Sequence, residues 1–236
     1  MPNPERLRVR PLRAVLFDLD GTLLDTAPDM YRALSELLRE QGRAPVPFAA
    51  VRPCVSHGST GVLRAGFGEV EETTFRSLQR RFLEIYGNAL CVDTRLFPGM
   101  DRALDAIEAR GLAAGIVTNK PAFLTEPLVE RLGLRARFAC VVCGDTLAER
   151  KPHPLPLLHA ARLTHSSPAE CIYVGDAARD VEAAHAAGMP ALIARYGYHA
   201  PDEDLAAWDA DGEIDSPAEL IAWLAGSERR SGDAMT

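Results

Sequence analysis

The stretch AVLFDLDGTLLDT, residues 14–26, ends a short apolar run in two closely spaced acids. Residues 14–17 have the apolar character of a buried β-strand. Asp18 and Asp20 follow directly, and side chains two positions apart in an extended segment point to the same side. Carboxylates that approach each other repel and raise each other's pKa. The pair is costly for a fold and suited to a cation, so it predicts a cation site at the end of a strand.

The residues around this pair make the motif more specific. An Asp-x-Asp pair alone is weak, because Asp is common in turns and helix caps. In DLDGT, Gly21 allows the backbone to turn sharply and Thr22 adds a hydroxyl where the chain leaves the strand. The five residues together therefore indicate chemistry more strongly than the acids do.

Further apolar, β-rich runs recur along the chain, with helical patterns between them. With the first run, they cover residues 14–17, 114–117, 140–143, 171–174 and 191–194. This alternation predicts an α/β fold with a Rossmann-like parallel sheet wrapped by helices. In such sheets the functional site lies beyond the carboxyl ends of the strands. Polar residues follow several of these runs, which places candidate chemistry at one edge of the sheet: Thr118, Asn119, Asp145 and Asp176.

The strand signal disappears between residues 26 and 93. Two amphipathic helical stripes occupy this segment, the first near Met30 and Leu37 and the second near Phe75 and Phe82. We therefore predict a small α-helical domain, residues 26–93, inserted after the first strand. The catalytic core is predicted to comprise residues 1–25 and 94–236, with residues 226–236 as a loose tail.

Composition limits the classes of partner. The chain has 236 residues and a formal net charge of −7, which disfavours general binding to nucleic acid or to anionic membranes. Four N-terminal arginines precede only a short apolar run, which is neither a signal peptide nor a membrane span. They are Arg6, Arg8, Arg10 and Arg13.

Cysteine usage favours the cytoplasm. The five cysteines are odd in number and irregularly spaced. Cys140 and Cys143 form a CxxC motif, but no second Cys or His pair stands nearby, so zinc binding is disfavoured and buried or reduced thiols are expected.

Three further motifs carry candidate chemistry. VTNKP, residues 117–121, offers a hydroxyl and an amide that either cap a helix or bind phosphate oxygens. KPHP, residues 151–154, places Lys151 before a loop, where a solvated lysine is the ordinary interpretation. VGDAARD, residues 174–180, places Asp176 after a strand and Asp180 one helical turn later. Helix capping explains the last motif alone, whereas a second acid pair at the same sheet edge favours a magnesium site.

The order of these motifs resembles that of the haloacid dehalogenase-like hydrolase superfamily. DLDGT, Thr118, Lys151 before a proline, and the GDxxxD of residues 175–180 occur in the family's order, and the helical insert resembles the cap of the phosphoglycolate phosphatase-like branch. Within that branch, the run from VTNKP to RYGY looks like phosphoglycolate phosphatase. LFPGM, the Glu126–Pro127 pair and the C-terminal stretch beginning YGYHAPDEDL look closer to the N-acetylmuramic acid 6-phosphate phosphatases of cell-wall recycling.

The resemblance implies a role for each motif. Asp18 is the expected nucleophile that forms an aspartyl-phosphate, and Mg²⁺ is expected on Asp18, the Asp20 backbone carbonyl and Asp176. A cation is needed because two unit charges about 4 Å apart interact by about 4 kcal/mol at an effective dielectric of about 20. Lys151, Thr118 and Asn119 are expected at the phosphate oxygens, and Asp180 is expected to orient the site indirectly or through water.

Asp20 is the more diagnostic acid. Protonated, it can donate to the leaving alkoxide, and the resulting carboxylate can activate water against the aspartyl-phosphate. Dehalogenases of the superfamily need no acid here, so Asp20 favours phosphoryl chemistry. A β-phosphoglucomutase-like phosphotransferase shares all the motifs and would be separated by its products. A non-catalytic phosphate-binding module is disfavoured by the intact acids and lysine.

The segment VRPCVSHGSTG, residues 51–61, bears on the substrate. In relatives with such a cap the equivalent loop faces the site, so Arg52 and His57 are candidate substrate contacts, although they could simply turn the chain. A carboxylate occurs in both phosphoglycolate and N-acetylmuramic acid 6-phosphate, and Arg52 could bind either. Small residues beside His57 leave room for a sugar ring. We therefore expect a small-molecule phosphate ester, favouring the amino-sugar acid with phosphoglycolate as the alternative, and a monomer or homodimer.

Overall fold

The computed structural model describes residues 12–232, built around a six-stranded parallel sheet. The strand order across the sheet is β5-β4-β1-β6-β7-β8. The strands are β1 (Ala14–Phe17), β4 (Ala113–Val117), β5 (Cys140–Val142), β6 (Cys171–Gly175), β7 (Ala191–Ala194) and β8 (Gly212–Ile214). β1 therefore lies in the interior of the sheet, between β4 and β6.

Both faces of the sheet are covered by helices. Successive side chains of β1 alternate between two apolar clusters, with Val15 and Phe17 in one and Ala14 and Leu16 in the other. The first cluster includes residues of α5 (Met100–Ala109), α6 (Ala122–Arg131) and α9 (Pro217–Gly232). The second includes residues of α7 (Leu155–Leu163) and α8 (Ala178–Ala187). The predicted Rossmann-like α/β class is confirmed.

The register of the sheet brings the ends of three strands together. Phe17 pairs with Ile116 of β4 on one side and with Val174 of β6 on the other. Asp18, Thr118 and Asp176 follow these strands closely. The three motifs therefore meet at one sheet edge.

A helical cap follows the first strand, as predicted. It consists of α1 (Ala27–Glu40), α2 (Phe48–Val51), a 3₁₀ helix (Arg52–His57), α3 (Gly58–Phe67) and α4 (Glu72–Asn88). The two predicted amphipathic stripes correspond to α1 and α4, which contact each other and α3. Their apolar residues form a cluster of their own that also includes Phe97, Leu124 and Tyr198 from outside the insert.

A small antiparallel ribbon lies where the chain passes between core and cap. β2 (Leu24–Asp25) pairs with β3 (Arg95–Leu96), and the Phe97 N–H donates to the Leu23 carbonyl. Asp29, in the first turn of α1, accepts the backbone N–H groups of residues 92–94. The outgoing and returning segments are thus joined side by side.

The C-terminus differs from the predicted loose tail. α9 extends to Gly232, so the backbone of residues 226–232 is helical. Three of these seven residues, Glu228, Arg229 and Arg230, are good helix formers, and they continue the helix that begins at Pro217. Residues 233–236 and the arginines at positions 6, 8 and 10 lie outside the described residues, and no helix in the described part of the chain is long and apolar enough to cross a membrane.

Candidate active site

A cavity of about 570 Å³ lies between the carboxyl edge of the sheet and the cap. Core residues from all the sequence motifs line it, among them Asp18, Asp20, Thr118 and Lys151. The cap contributes residues of the 3₁₀ helix, the start of α3 and one side of α4. The cavity therefore combines the candidate chemistry of the core with a wall formed by the insert.

The first motif turns sharply after β1. Gly21 has a φ of +85°, and a Cβ at this position would collide with the carboxylate of Asp176. The Thr22 hydroxyl donates to Asp176 Oδ1 at 3.4 Å. Glycine thus allows the first and last motifs to approach each other.

Lys151 connects the nucleophile candidate to the last motif. Its Nζ lies 2.9 Å from Asp18 Oδ1 and 2.8 Å from Asp180 Oδ1. It also donates to the Tyr173 hydroxyl at 2.7 Å, which in turn donates to the Val117 carbonyl at 2.7 Å. Burial alone would raise the pKa of Asp18, but Lys151 and then Arg179 outweigh it and lower that pKa. Asp18 is therefore held as a carboxylate.

Three buried acids meet beside Lys151. Carboxylate oxygens of Asp18, Asp176 and Asp180 all lie within 4.8 Å of one another. Burial, followed by repulsion from Asp18 and Asp180, raises the pKa of Asp176 to about 7. A site of hard oxygen donors with excess negative charge fits Mg²⁺.

This cluster differs in membership from the predicted metal ligands. The Asp20 carboxylate is not part of it, so the predicted contribution of Asp20 remains that of its backbone carbonyl. Asp180, expected to act indirectly, brings an oxygen into the cluster and contacts Lys151 directly.

Asp20 has a lysine of its own. Lys120 Nζ lies 3.0 Å from Asp20 Oδ1 and 3.2 Å from Oδ2, and it donates to the Tyr86 hydroxyl of α4 at 3.0 Å. Burial would lower the pKa of Lys120, but Asp20 and Tyr86 outweigh it and raise that pKa, so the ammonium stays charged. The two acids of DLDGT are thus neutralised separately.

Thr118 and Asn119 both line the cavity, but only the Thr118 side chain keeps a hydrogen-bond donor group that no contact among the described residues uses. The Thr118 hydroxyl accepts the Lys120 N–H at 3.2 Å and keeps its own hydrogen to donate. The Asn119 side chain donates to the Lys151 carbonyl at 2.8 Å and accepts the Lys151 N–H at 3.0 Å. Asn119 therefore fixes the Lys151 loop, which was not predicted.

The cap touches the acid cluster through Ser56. The Ser56 hydroxyl donates to Asp176 Oδ2 at 2.6 Å, and its carbonyl accepts a hydrogen bond from Arg179 at 2.7 Å. Arg179 also lies 3.9 Å from Asp18 Oδ2. One residue of the cap thus contacts both Asp176 and Arg179 of the VGDAARD motif.

The two predicted cap contacts separate in the structure. His57 is exposed and lines the cavity. Arg52 points elsewhere, because its guanidinium donates to the carbonyls of Gly197 at 3.0 Å and Tyr196 at 3.2 Å and lies over the Tyr198 ring. It does not line the cavity, so the structure does not support Arg52 as a substrate contact.

Sequence reasoning missed four residues that line the cavity: Ser56, Gln79, Lys120 and Arg179. One signal was available for Lys120: the chain contains two lysines, Lys120 and Lys151, against 24 arginines. In an arginine-rich chain, two retained lysines in motifs at a sheet edge are candidates for the same site. The contacts of Ser56 and Arg179 join residues more than 100 positions apart and leave no local pattern.

Comparisons with known proteins show the family of the chain. The family model described as haloacid dehalogenase-like hydrolase matches residues 15–194. A phosphoglycolate phosphatase of Xanthomonas campestris pv. campestris (strain 8004) is 45% identical over 214 residues, 89% of this chain and 97% of the relative. An N-acetylmuramic acid 6-phosphate phosphatase of Pseudomonas putida is 40% identical over 210 residues, covering 89% and 94%.

A solved structure is also similar to the chain. The crystal structure of a predicted phosphoglycolate phosphatase from Haemophilus somnus 129pt is 28% identical and has a TM-score of 0.79, covering 90% of this chain and 97% of that one. The similarity therefore includes both core and cap.

Proposed function

The chain belongs to the haloacid dehalogenase-like hydrolase family and is a phosphatase, and we propose that it hydrolyses a small phosphate monoester with Mg²⁺, favouring N-acetylmuramic acid 6-phosphate. One observation carries the reaction class. Asp18 is kept ionised by Lys151 at the floor of a cavity that Asp20 also lines. A nucleophile and an acid/base are thus available to the same phosphate.

The reaction proceeds in two displacements. An oxygen of the Asp18 carboxylate attacks phosphorus, the ester P–O bond breaks, and Asp20 gives its proton to the leaving alkoxide. Water then attacks phosphorus of the aspartyl-phosphate and passes a proton to Asp20, which releases phosphate and restores the Asp18 carboxylate. Asp20 ends the cycle protonated, as it began.

The surrounding residues oppose the negative charge of the phosphate. The Lys151 ammonium stands beside the attacking carboxylate, and the Thr118 hydroxyl has a hydrogen to donate. Asp18, Asp176 and the Asp20 backbone carbonyl would hold Mg²⁺, which when bound supplies charge neutralisation between carboxylate and phosphate. The raised pKa of Asp176 supports a cation there, because burial and then the carboxylates of Asp18 and Asp180 disfavour its charged form.

The cavity supports the larger substrate. Its volume of about 570 Å³ falls within the roughly 300–1,000 Å³ of pockets that enclose drug-sized ligands. Phosphoglycolate is a two-carbon acid, whereas the amino-sugar acid has a pyranose ring, an acetamido group and a lactyl ether. Apolar groups of the cap and of α6 suit the acetamido methyl and the ring: Met30, Phe82 and Leu83 from the cap, and Leu124 from α6. His57, Ser59 and Gln79 offer polar contacts for the rest.

Phosphoglycolate is the second candidate. It is favoured by the 45% identity to the Xanthomonas relative, which exceeds the 40% identity to the Pseudomonas one. A β-phosphoglucomutase-like transfer to a sugar remains a further alternative that release of inorganic phosphate separates.

The test compares kcat/KM for the two esters in the wild type and in His57→Ala, with inorganic phosphate measured as the product. We expect a preference for N-acetylmuramic acid 6-phosphate that decreases in the variant because His57 lines the cavity. A clear preference for phosphoglycolate would overturn the sugar proposal. Stoichiometric transfer to a sugar with no phosphate released would overturn hydrolysis.

We also propose the cytoplasm as the compartment. All five cysteines are free thiols, which is typical of a reducing environment. For the oligomeric state, a monomer or a homodimer stays the prediction.

A further inference from the structure

The ammonium group of Lys120 contacts one acid, Asp20, and one residue of the cap, Tyr86. Its three hydrogens are accounted for by Asp20 Oδ1, Asp20 Oδ2 and the Tyr86 hydroxyl, and its side chain is 5% exposed. It also lies over the Tyr86 ring, 4.7 Å from the centroid. A buried lysine is costly unless it is paired, and Asp20 and Tyr86 provide the partners here.

We propose that Lys120 is a positioning residue for Asp20 and that Tyr86 of the cap holds Lys120 in that role. The inference rests on the proposed function, in which Asp20 transfers protons. It extends that function by making the acid/base depend on a contact from the helical insert.

The geometry explains why positioning is needed. A carboxylate rotates about two side-chain bonds, and an acid that protonates a leaving group must lie within hydrogen-bond reach of it. Lys120 lies within hydrogen-bond distance of both Asp20 oxygens, so one oxygen can accept from the ammonium and fix the orientation while the other carries the proton to be transferred. Lys120 comes from the segment after β4, so this restraint reaches Asp20 from a neighbouring strand of the core.

Tyr86 makes the restraint conditional on the cap. It lies on α4, its side chain is almost fully buried, and its hydroxyl and ring both face Lys120. When α4 is in place, little of the Lys120–Asp20 pair is exposed, with 5% of the Lys120 side chain and 16% of the Asp20 side chain accessible, and weak screening makes the pair strong. When α4 withdraws, the ammonium gains water and loses a partner, so Asp20 is released.

The experiment measures kcat/KM for two esters in each variant: 4-nitrophenyl phosphate, whose leaving group needs no proton, and whichever alkyl ester of the proposed pair the wild type prefers. We expect Lys120→Met to lower the alkyl value about 100-fold and the aryl value less than about 5-fold. Tyr86→Phe should lower the alkyl value about 5-fold, the effect of one hydrogen bond, and leave the aryl value within about 2-fold. Lys120→Arg should recover part of the alkyl activity.

Tyr31→Phe is the matched control. It removes one hydroxyl from the cap, where Tyr31 donates to the Val46 carbonyl at 2.9 Å, and it does not line the cavity. Its ratio of alkyl to aryl activity should equal that of the wild type. In the Lys120→Met background, Tyr86→Phe should cause no further change, because Tyr86 acts through Lys120.

The outcomes distinguish the two levels of proposal. If the wild type hydrolyses neither ester, the proposed function fails. If the wild type is active and Tyr86→Phe or a folded Lys120→Met leaves the alkyl-to-aryl ratio unchanged, positioning is wrong and the proposed function stands. Should Lys120→Met fail to fold, as shown by its thermal transition, Tyr86→Phe alone decides, because it retains the ring and the ion pair.

Discussion

The two lysines of the chain have similar surroundings but different attachments, and Lys151 contacts a second acid, Asp180. Each ammonium contacts one acid of DLDGT and one tyrosine hydroxyl, and each lies over that tyrosine ring, at 5.3 Å for Lys151 and 4.7 Å for Lys120. Lys151 has its partners in the core, where Tyr173 belongs to β6. Lys120 has its acid in the core and Tyr86 on the cap. The ammonium beside Asp18 is therefore held by the core alone, on what we call the fixed side. The ammonium beside Asp20 is also held by the cap, on what we call the conditional side.

This difference matches the tasks proposed for the two acids. Asp18 must be ionised before substrate arrives, so a fixed counter-charge serves it. Asp20 must face a leaving group only when one is enclosed, so a positioning partner that is completed by the cap serves it. Disrupting the fixed side should therefore cost the most activity, disrupting the conditional side less, and disrupting a cap contact outside the site the least.

Asp18→Asn attacks the fixed side and should have the largest effect. It removes the nucleophile with little change of shape, so we expect kcat to fall about 10⁴-fold or more on aryl and alkyl esters alike. Circular dichroism and the thermal transition should show a folded protein. Appreciable turnover by the purified variant would remove Asp18 from the nucleophile role.

Asp20→Asn attacks the conditional side. We expect kcat/KM for the alkyl ester to fall by about 10²–10⁴-fold, the usual contribution of general acid catalysis, and the value for 4-nitrophenyl phosphate to fall far less. Parallel assays on the two esters give the ratio. An equal loss on both would contradict the acid role and the contrast drawn between the two lysines.

The acid cluster makes stability depend on pH in the metal-free protein. The pKa of Asp176 is about 7 in the fold against an ordinary 3.8. Between these values the folded state binds more protons than the unfolded state, so the free energy of unfolding decreases as pH rises from about 4 to 7. With about 1.4 kcal/mol per pKa unit, the loss is at most about 4 kcal/mol.

Thermal unfolding in EDTA at pH 5 and pH 8 tests this dependence. Asp176→Asn should lose less stability than the wild type over that interval, and Mg²⁺ should raise the melting temperature of the wild type but not of the variant. EDTA should also stop turnover, and Mg²⁺ should restore it. Equal pH dependence in both proteins would show that Asp176 is not the strained member of the cluster.

Arg52→Ala should have the smallest effect on catalysis. Arg52 binds the Tyr196 and Gly197 carbonyls and does not reach the cavity. The ratio of kcat/KM for the two candidate substrates should stay within about 2-fold of the wild type, while the free energy of unfolding falls by about 1–3 kcal/mol. A changed substrate ratio would restore Arg52 as a specificity residue.

The sequence predicted the central strands because each is a continuous apolar run. β1 and β7 have the predicted limits, and β4, β5 and β6 differ from them by a single residue. β8 was missed because its three residues include an exposed Glu213 at the edge of the sheet. α3 was missed because glycine, serine and threonine weaken its helical signal.

The site was predictable only as far as strand ends determine it. Strand order brings Asp18, Thr118 and Asp176 together whatever the side chains do next. Which lysine meets which acid, and where Arg52 turns, depends on packing between distant segments. Arg52 in particular has a charge and a loop position that suit a carboxylate, yet backbone carbonyls of a distant loop capture it.

The β2–β3 ribbon has a consequence for the modularity of the molecule. Asp25 and Arg95 are paired in the ribbon, so the segment between them leaves the core and returns to it at the same point. A two-residue turn in place of residues 26–94 would close an ordinary hairpin without moving either strand. The insert is in this sense a separable module. During evolution one cap could be replaced by another while the residues of the core beneath it stayed the same.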